Sequence, residues 1–217
     1  TLTIEGDYFT NVNQNSFSST ATTFRLKMNG ANDQTFINQD TIPQLELSKN
    51  KKVTFTDPFA ISNAFIISGN GTYAQLNANI NFTPTGTVVT IPANATLEIA
   101  SGVTFTAAGG LTVDGTLIMN PGSTLVLGNT TTLTVGSSGL VQLVGAPGNP
   151  ASIVPASGGT FNFNLNGSFN GNYFKISRMG TAGVNVGTTG VIHAMNDGEF
   201  HYIASGGHAV TLASTST

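Results

Sequence analysis

The chain has 217 residues, of which only 8% are charged and none is cysteine, and its formal net charge is −3. Its basic residues form no run beyond Lys49, Lys51 and Lys52, which argues against nucleic acid and anionic membrane surfaces as partners. No apolar run approaches the roughly 20 residues of a transmembrane helix, so we expect no membrane insertion.

Short triplets with apolar residues at both ends recur along the chain at nearly regular spacing. In chain order the first four are centred on Thr3, Arg25, Glu46 and Ile66, so the interval between successive centres is almost constant. The two apolar residues of each triplet would lie on the same side of a β-strand, because side chains alternate between the faces. No stretch keeps the apolar spacing of an amphipathic helix. The recurring triplet therefore predicts a repeat protein built from strands.

The most regular triplets lie in the middle of the chain. They are centred on Thr90, Thr112 and Thr134, at two identical intervals. Two later triplets, centred on Ser152 and Lys175, follow at less regular intervals. Each regular period also contains two further triplets, separated by turn residues such as glycine and proline. We therefore expect about three strands in each repeat.

Three short strands in a period of about 22 residues predict an all-β fold. Specifically, they predict a single-stranded parallel β-helix, or solenoid, with roughly ten right-handed coils. A leucine-rich repeat and a calcium-binding nonapeptide roll need consensus sequences that the chain lacks, and a β-sandwich does not predict a constant period. The expected core consists of inward stacks, with Ile91, Val113 and Val135 in one and Phe105 and Leu127 in another.

The predicted organisation is a single β-helix domain over residues 1–212, followed by a tail or linker at residues 213–217. Within the domain we expect less regular N-terminal coils at 1–86, the most regular coils at 87–145 and looser C-terminal coils at 146–212. Because the sequence starts with Thr1 and shows no signal peptide, we expect a processed product or a segment of a longer protein.

Two stretches carry a resemblance to a known class of proteins. T-V-V-T-I-P-A-N-A-T-L-E-I at 87–99, followed by L-T-V-D-G-T-L at 111–117, resembles the repeat units of secreted or cell-surface parallel β-helix proteins of bacteria, such as autotransporter passengers and repeat-rich adhesins. L-T-I-E-G-D-Y-F-T-N at 2–11 also resembles such a unit. The resemblance implies an extracellular or cell-surface location and a structural or adhesive role, as a stalk, surface layer or filament building block.

That class has no fixed catalytic residues, so the resemblance implies no enzyme activity. The partners we expect are further copies of the chain, joined end to end or side by side, a longer parent chain, and surface glycans. The alternative function is a polysaccharide-binding or polysaccharide-cleaving β-helix. Hydrolysis would need a pair of close carboxylates, whereas the ten acidic residues are scattered along the sequence. We therefore predict no catalytic residue and no cofactor.

The one cluster that could hold a metal comprises His193, Asp197, Glu199, His201 and His208. Alternation along a strand would put Asp197, Glu199 and His201 on one outer face, with His208 reaching them from a neighbouring turn. Oxygen and imidazole ligands suit Zn, Mn or Ni. An exposed polar strand near the end of the chain explains the same residues without a metal, and this is the interpretation we prefer.

Two outer-face features have structural explanations. Arg25 and Glu46 are centres of consecutive triplets, so we expect them to stack as a surface ion pair, which contributes roughly 0–1 kcal/mol. The centres Thr90, Thr112 and Thr134 would form an outward threonine column between Ile66 and Ser152. Such a column can order water and thereby bind ice, but β-propensity and hydroxyl ladders account for it.

Overall fold

Parallel strand pairing runs through the whole part of the chain that the computed structural model describes, residues 1–9 and 24–213. The fold is an all-β parallel solenoid of about eight turns with about 23 residues in each. The predicted fold class is therefore confirmed, and the expected roughly ten coils of about 22 residues agree approximately with this number of turns. Residues 10 and 11 of the repeat-like opening and 214–217 of the predicted tail lie outside the described residues.

Each turn contributes strands to up to three faces, which we number in the order the chain visits them. Face 1 contains β1 (Leu2–Ile4), β3 (Arg25–Met28), β5 (Ile42–Leu47), β7 (Phe59–Ile67), β10 (Val89–Ile91), β13 (Leu111–Val113), β16 (Thr132–Val135), β19 (Phe161–Leu165), β22 (Met179–Val186) and β25 (Val210–Leu212). Face 2 is a separate nine-stranded sheet of β2 (Tyr8–Phe9), β4 (Gln34–Ile37), β6 (Lys52–Phe55), β8 (Tyr73–Leu76), β11 (Thr96–Ile99), β14 (Thr116–Met119), β17 (Leu140–Val144), β20 (Ser168–Asn172) and β23 (Val191–Asn196).

Face 3 is joined to face 1 through the long strand β7, whose first residues pair with β9 and whose last residues approach β10. Besides β7, face 3 contains β9 (Ile80–Phe82), β12 (Thr104–Ala107), β15 (Thr124–Leu127), β18 (Ala151–Pro155), β21 (Phe174–Ser177) and β24 (Glu199–His201). A 3₁₀ turn at Ala156–Gly158 follows β18. The described residues contain no helix that is long and apolar enough to cross a membrane.

The threonine column on face 1 tests the predicted register. Thr90 pairs with Ile66 and Thr112, and Thr112 pairs with Thr134, as predicted. Thr134, however, pairs with Asn164, so the prediction that Ser152 continues the column is wrong. Ser152 and Lys175 lie on face 3, where they pair with each other. The loops around β18 lengthen the interval between Thr134 and its partner well beyond the regular period while leaving the strand stack intact.

The core lies inside the coil and is built from every second strand residue. The stack of Ile91, Val113 and Val135 is confirmed, and all three side chains are fully buried. Phe105 stacks on Leu125, whereas the prediction paired it with Leu127. That error is two residues along the strand, so both side chains still point inward, because strand side chains alternate with a period of two.

Glycines at the corner between faces 1 and 2 allow successive coils to come close together. A Cβ atom added to Gly139 would lie 1.9 Å from the carbonyl oxygen of Val113, and one added to Gly115 would lie 2.3 Å from the carbonyl oxygen of Ala95. Both distances are far inside van der Waals contact. Only glycine, which has no side chain, therefore allows successive coils to come this close at the corner.

A buried polar connection ties the first coils together; we call it the Gln34–Lys49 strut. The Gln34 side chain donates to the carbonyl oxygens of Ile4, at 3.2 Å, and Gly6, and accepts from the Gly30 amide at 3.1 Å. Lys49 Nζ donates to Gln34 Oε1 at 2.7 Å. Both side chains are almost fully buried. Burial lowers the pKa of Lys49, and the nearby charges of two aspartates oppose that effect only in part.

Candidate functional site

The five residues of the candidate metal cluster do not converge. His193 lies on β23 of face 2, where its Nε2 is 3.2 Å from Ser168 Oγ. Glu199 and His201 lie on β24 of face 3, and His208 lies in the segment before β25. Asp197 precedes β24 in a left-handed backbone conformation, with φ of 50°, so the prediction that it shares a strand face with Glu199 and His201 is wrong. Among the residues that the structure describes, no three His, Asp or Glu side chains are grouped closely enough to hold a metal ion.

Glu199 and His201 form a small ionic group with a residue of the preceding coil. His201 Nε2 contacts one carboxylate oxygen of Glu199, and Lys175 Nζ lies 3.4 Å from the other. The register explains this arrangement, since Lys175 pairs with Glu199 across the coils. The Glu199 side chain is half exposed. Exposed ion pairs of this kind contribute roughly 0–1 kcal/mol, so the group stabilises the last coil only weakly.

Two corners beside this group repeat an unusual backbone conformation one coil apart. Tyr173 and Asp197 both have positive φ, as do Arg178 and Tyr202, and the two pairs have the same separation in the sequence, close to one coil period. The guanidinium of Arg178 lies over the ring of Tyr202, at 5.1 Å from its centroid. The coil-to-coil repetition therefore extends beyond the strands to the corners that flank the last strand of face 3.

The expected ion pair of Arg25 and Glu46 is present, with 3.1 Å between the guanidinium and the carboxylate. The register partner of Glu46 is Lys27, however, which lies 3.3 Å from the other carboxylate oxygen. Burial by itself would raise the pKa of Glu46, but the hydrogen bonds from Ser68, Lys27 and Arg25 and the charge of Lys27 together hold it below its ordinary value. This network belongs to the inter-coil packing of face 1.

A polar network on the outer surface of face 2 surrounds Glu98; we call it the Glu98 network. One carboxylate oxygen accepts from Asn120 Nδ2 at 2.7 Å. The other accepts from the Tyr73 hydroxyl and from Gln75 Nε2, the latter at 3.2 Å. Lys52 Nζ lies over the ring of Tyr73, at 5.6 Å from its centroid. All five side chains are partly exposed. They come from four successive coils, so the network crosses the outer face of the sheet.

The chemistry of Glu98 fixes the orientation of its neighbours. A carboxylate only accepts hydrogen bonds, so Gln75 and Asn120 must present their NH₂ groups to it. Their amide oxygens then point away from Glu98. Because a carboxylate offers about four acceptor positions and the network uses three, one position remains for a donor from outside. The network is an ordered group of acceptors on a flat strand surface.

Tyr73 provides a test of this arrangement. Burial, followed by the hydrogen bond to Glu98 and its charge, raises the pKa of Tyr73 from 10.0 to about 12. Because the pKa is raised, the stabilisation that the protonated Tyr73 hydroxyl gives the folded protein is fully present below pH 10. It is lost as the pH rises from 10 to about 12. We expect the urea midpoint to fall more steeply over this range in the parent protein than in Tyr73→Phe. Equal slopes in the two proteins would contradict the assigned contact.

Sequence reasoning did not identify the Glu98 network. Its residues are separated by the coil period, with Tyr73 and Gln75 lying 25 and 23 residues before Glu98 and Asn120 lying 22 residues after it. Because the coil period predicts which positions are neighbours, one signal could have revealed the network: a glutamate with a tyrosine and two side-chain amides at about that spacing. No protein-family model, curated protein or solved structure matches the chain.

Proposed function

We propose that the chain is a non-enzymatic extracellular structural or adhesive segment, which serves as a stalk, surface layer or filament building block at a cell surface. The observation that supports this most strongly is the form of the stack. Core columns run from coil to coil on face 1 and remain open at the first and last described coils. A rod with open ends can be extended by further coils of the same kind.

The open core columns can be followed residue by residue. Val186 is almost fully buried, but its register partner in the last coil, Leu212, is 69% exposed. At the other end Leu2 is 43% exposed, while its partner Leu26 is fully buried. These terminal residues occupy core positions by register and lack a neighbour on one side among the described residues. Burying them would stabilise the contact by about 25 cal/mol per Å² of apolar surface removed from water.

The first coil of a second copy would fit against the last described coil. The strands at both ends of face 1 pair with their inner neighbours in parallel, so a head-to-tail contact repeats the geometry of the internal contacts between coils. Such a contact is heterologous and does not close on itself, and it therefore produces filaments. Unpaired strand edges at both ends favour the same mode of association.

We expect Leu212→Lys to abolish this association. In sedimentation velocity the parent protein should form longer species as its concentration rises, and electron microscopy should show short rods joined end to end. Leu212→Lys should remain monomeric, because a charge would enter the core column. Thr112→Lys is the matched control, since it adds the same charge to the side of the rod and should leave association intact. A parent protein that stays monomeric at all concentrations would contradict the end-to-end part of the proposal.

The second candidate function is polysaccharide binding, and the Glu98 network is the observation that favours it. Polysaccharide cleavage would use a pair of carboxylates as its reacting groups. The carboxylates of Glu46, Glu98 and Glu199, however, are all engaged by donors of the protein itself. Incubation with a panel of glycans would distinguish a polysaccharide-cleaving protein from a non-enzymatic one. Release of shorter oligosaccharides would refute the non-enzymatic function.

A further inference from the structure

The outer surface of face 2 carries its polar groups in a regular arrangement. One column runs through Thr54, Gln75, Glu98, Ile118 and Gln142, with one residue from each coil. Neighbouring strands lie about 4.8 Å apart, so the column presents a side chain at that interval along the rod. All its members except Ile118 carry a hydroxyl, an amide or a carboxylate. The surface is therefore a regular row of hydrogen-bonding groups.

The Glu98 network orders the centre of this row. Gln75 and Asn120 are held by Glu98 through their NH₂ groups, at 3.2 and 2.7 Å, and Tyr73 is held through its hydroxyl. A ligand that meets these side chains finds them already oriented, so less conformational entropy is lost on binding. The four residues are partly exposed, and their mutual hydrogen bonds leave the two amide oxygens and one acceptor position of Glu98 unused within the network.

These groups select a ligand with many hydroxyl donors and no net charge. The network has one cation, Lys52, and one anion, Glu98, so it offers no excess of positive charge for an acidic polymer. Phosphate or sulfate groups would meet the Glu98 carboxylate. The ring of Tyr73 provides an apolar surface with a polar rim, which suits the C–H face of a sugar ring.

We infer that face 2, centred on the Glu98 network, binds a neutral polysaccharide, whose hydroxyls donate to Glu98, Gln75 and Asn120 and whose sugar ring packs on Tyr73. The inference rests on the second candidate function, polysaccharide binding, and gives it a surface and a ligand class. The surface lies on the side of the rod, so it stays accessible when the ends are joined.

Native electrophoresis in gels containing soluble neutral polysaccharides (a β-glucan, a mannan and a xylan) tests the inference. At least one of them should retard the parent protein, whereas alginate and polygalacturonate should not. Glu98→Gln should weaken the retardation about tenfold or more, because it removes a charged acceptor and introduces a donor facing those of Gln75 and Asn120. Glu199→Gln is the matched control, since it neutralises a carboxylate on another face and should bind like the parent.

Tyr73→Phe provides a second, milder variant that removes only the hydroxyl, and it should also bind more weakly. Thermal unfolding followed by circular dichroism checks that both variants are folded. Binding by Leu212→Lys equal to that of the parent separates this site from end-to-end association. No retardation by any neutral polysaccharide, equal retardation of Glu98→Gln and the parent, or retardation by the acidic polymers alone would each overturn the inference.

Discussion

Phe105→Ala is expected to lower the free energy of unfolding by about 3–5 kcal/mol, the range for deleting a buried aromatic side chain. Phe105 is fully buried and stacks between Ile80 of the preceding coil and Leu125 of the next. Its ring lies 6.3 Å from that of Phe65 in an edge-to-face arrangement. The gap would therefore open in the middle of the rod, where coils on both sides depend on the contact.

Urea unfolding followed by circular dichroism measures this effect. Thr106→Ala is the matched control, because the adjacent side chain points to the outer face and should change stability by no more than about 0.5 kcal/mol. Each coil of a solenoid contacts mainly its neighbours, so weakening a central coil should also broaden the transition or divide it into two. A Phe105→Ala protein with the midpoint and cooperativity of the parent would contradict the assigned core position.

Gln34→Leu is expected to destabilise the N-terminal coils by about 3 kcal/mol, since a buried charged donor would lose a partner. The substitution removes the acceptor at 2.7 Å from Lys49 Nζ and also the donor that serves the carbonyl oxygens of Ile4 and Gly6. Lys49 would keep its contact with the carbonyl oxygen of Asn32. The buried charge would then be incompletely solvated by the protein.

A double substitution separates the buried charge from the general loss of packing. Replacing both Gln34 by Leu and Lys49 by Met removes the charge together with its acceptor, and such paired replacements are often close to neutral. The double variant should therefore be more stable than Gln34→Leu alone, by chemical denaturation monitored in parallel. If the stability lost in the double variant equals the sum of the losses in Gln34→Leu and Lys49→Met, the two side chains do not act as one energetic unit.

The repeat could be predicted from the sequence because the core residues must recur wherever coils stack. The intervals between Thr90, Thr112 and Thr134 reproduce the observed pairing residue by residue. The prediction failed where loops intervene, as at Ser152, because a loop that leaves the coil changes the count of residues without changing the core. It also misplaced Arg25 by two positions, since Lys27 is the register partner of Glu46, and a two-residue slip preserves the inward face.

The candidate sites were harder to predict for a different physical reason. Outer positions need only be soluble and compatible with strands, so their sequence carries no period that reveals which groups meet. His201 and Glu199 were recognised because they are close in the sequence, but their partner Lys175 lies one coil earlier. The Glu98 network draws on four coils, and only the exact register brings Tyr73, Gln75 and Asn120 to one carboxylate.

The parallel ladder also determines how the molecule would respond to tension. Its backbone hydrogen bonds run along the axis of the rod, so a pull on the two ends loads the contacts between coils in series. A coil of about 23 residues that detaches would extend to about 80 Å, whereas it occupied about 4.8 Å in the stack. A tether of this kind would lengthen in discrete steps from its ends while the coils that remain stay folded.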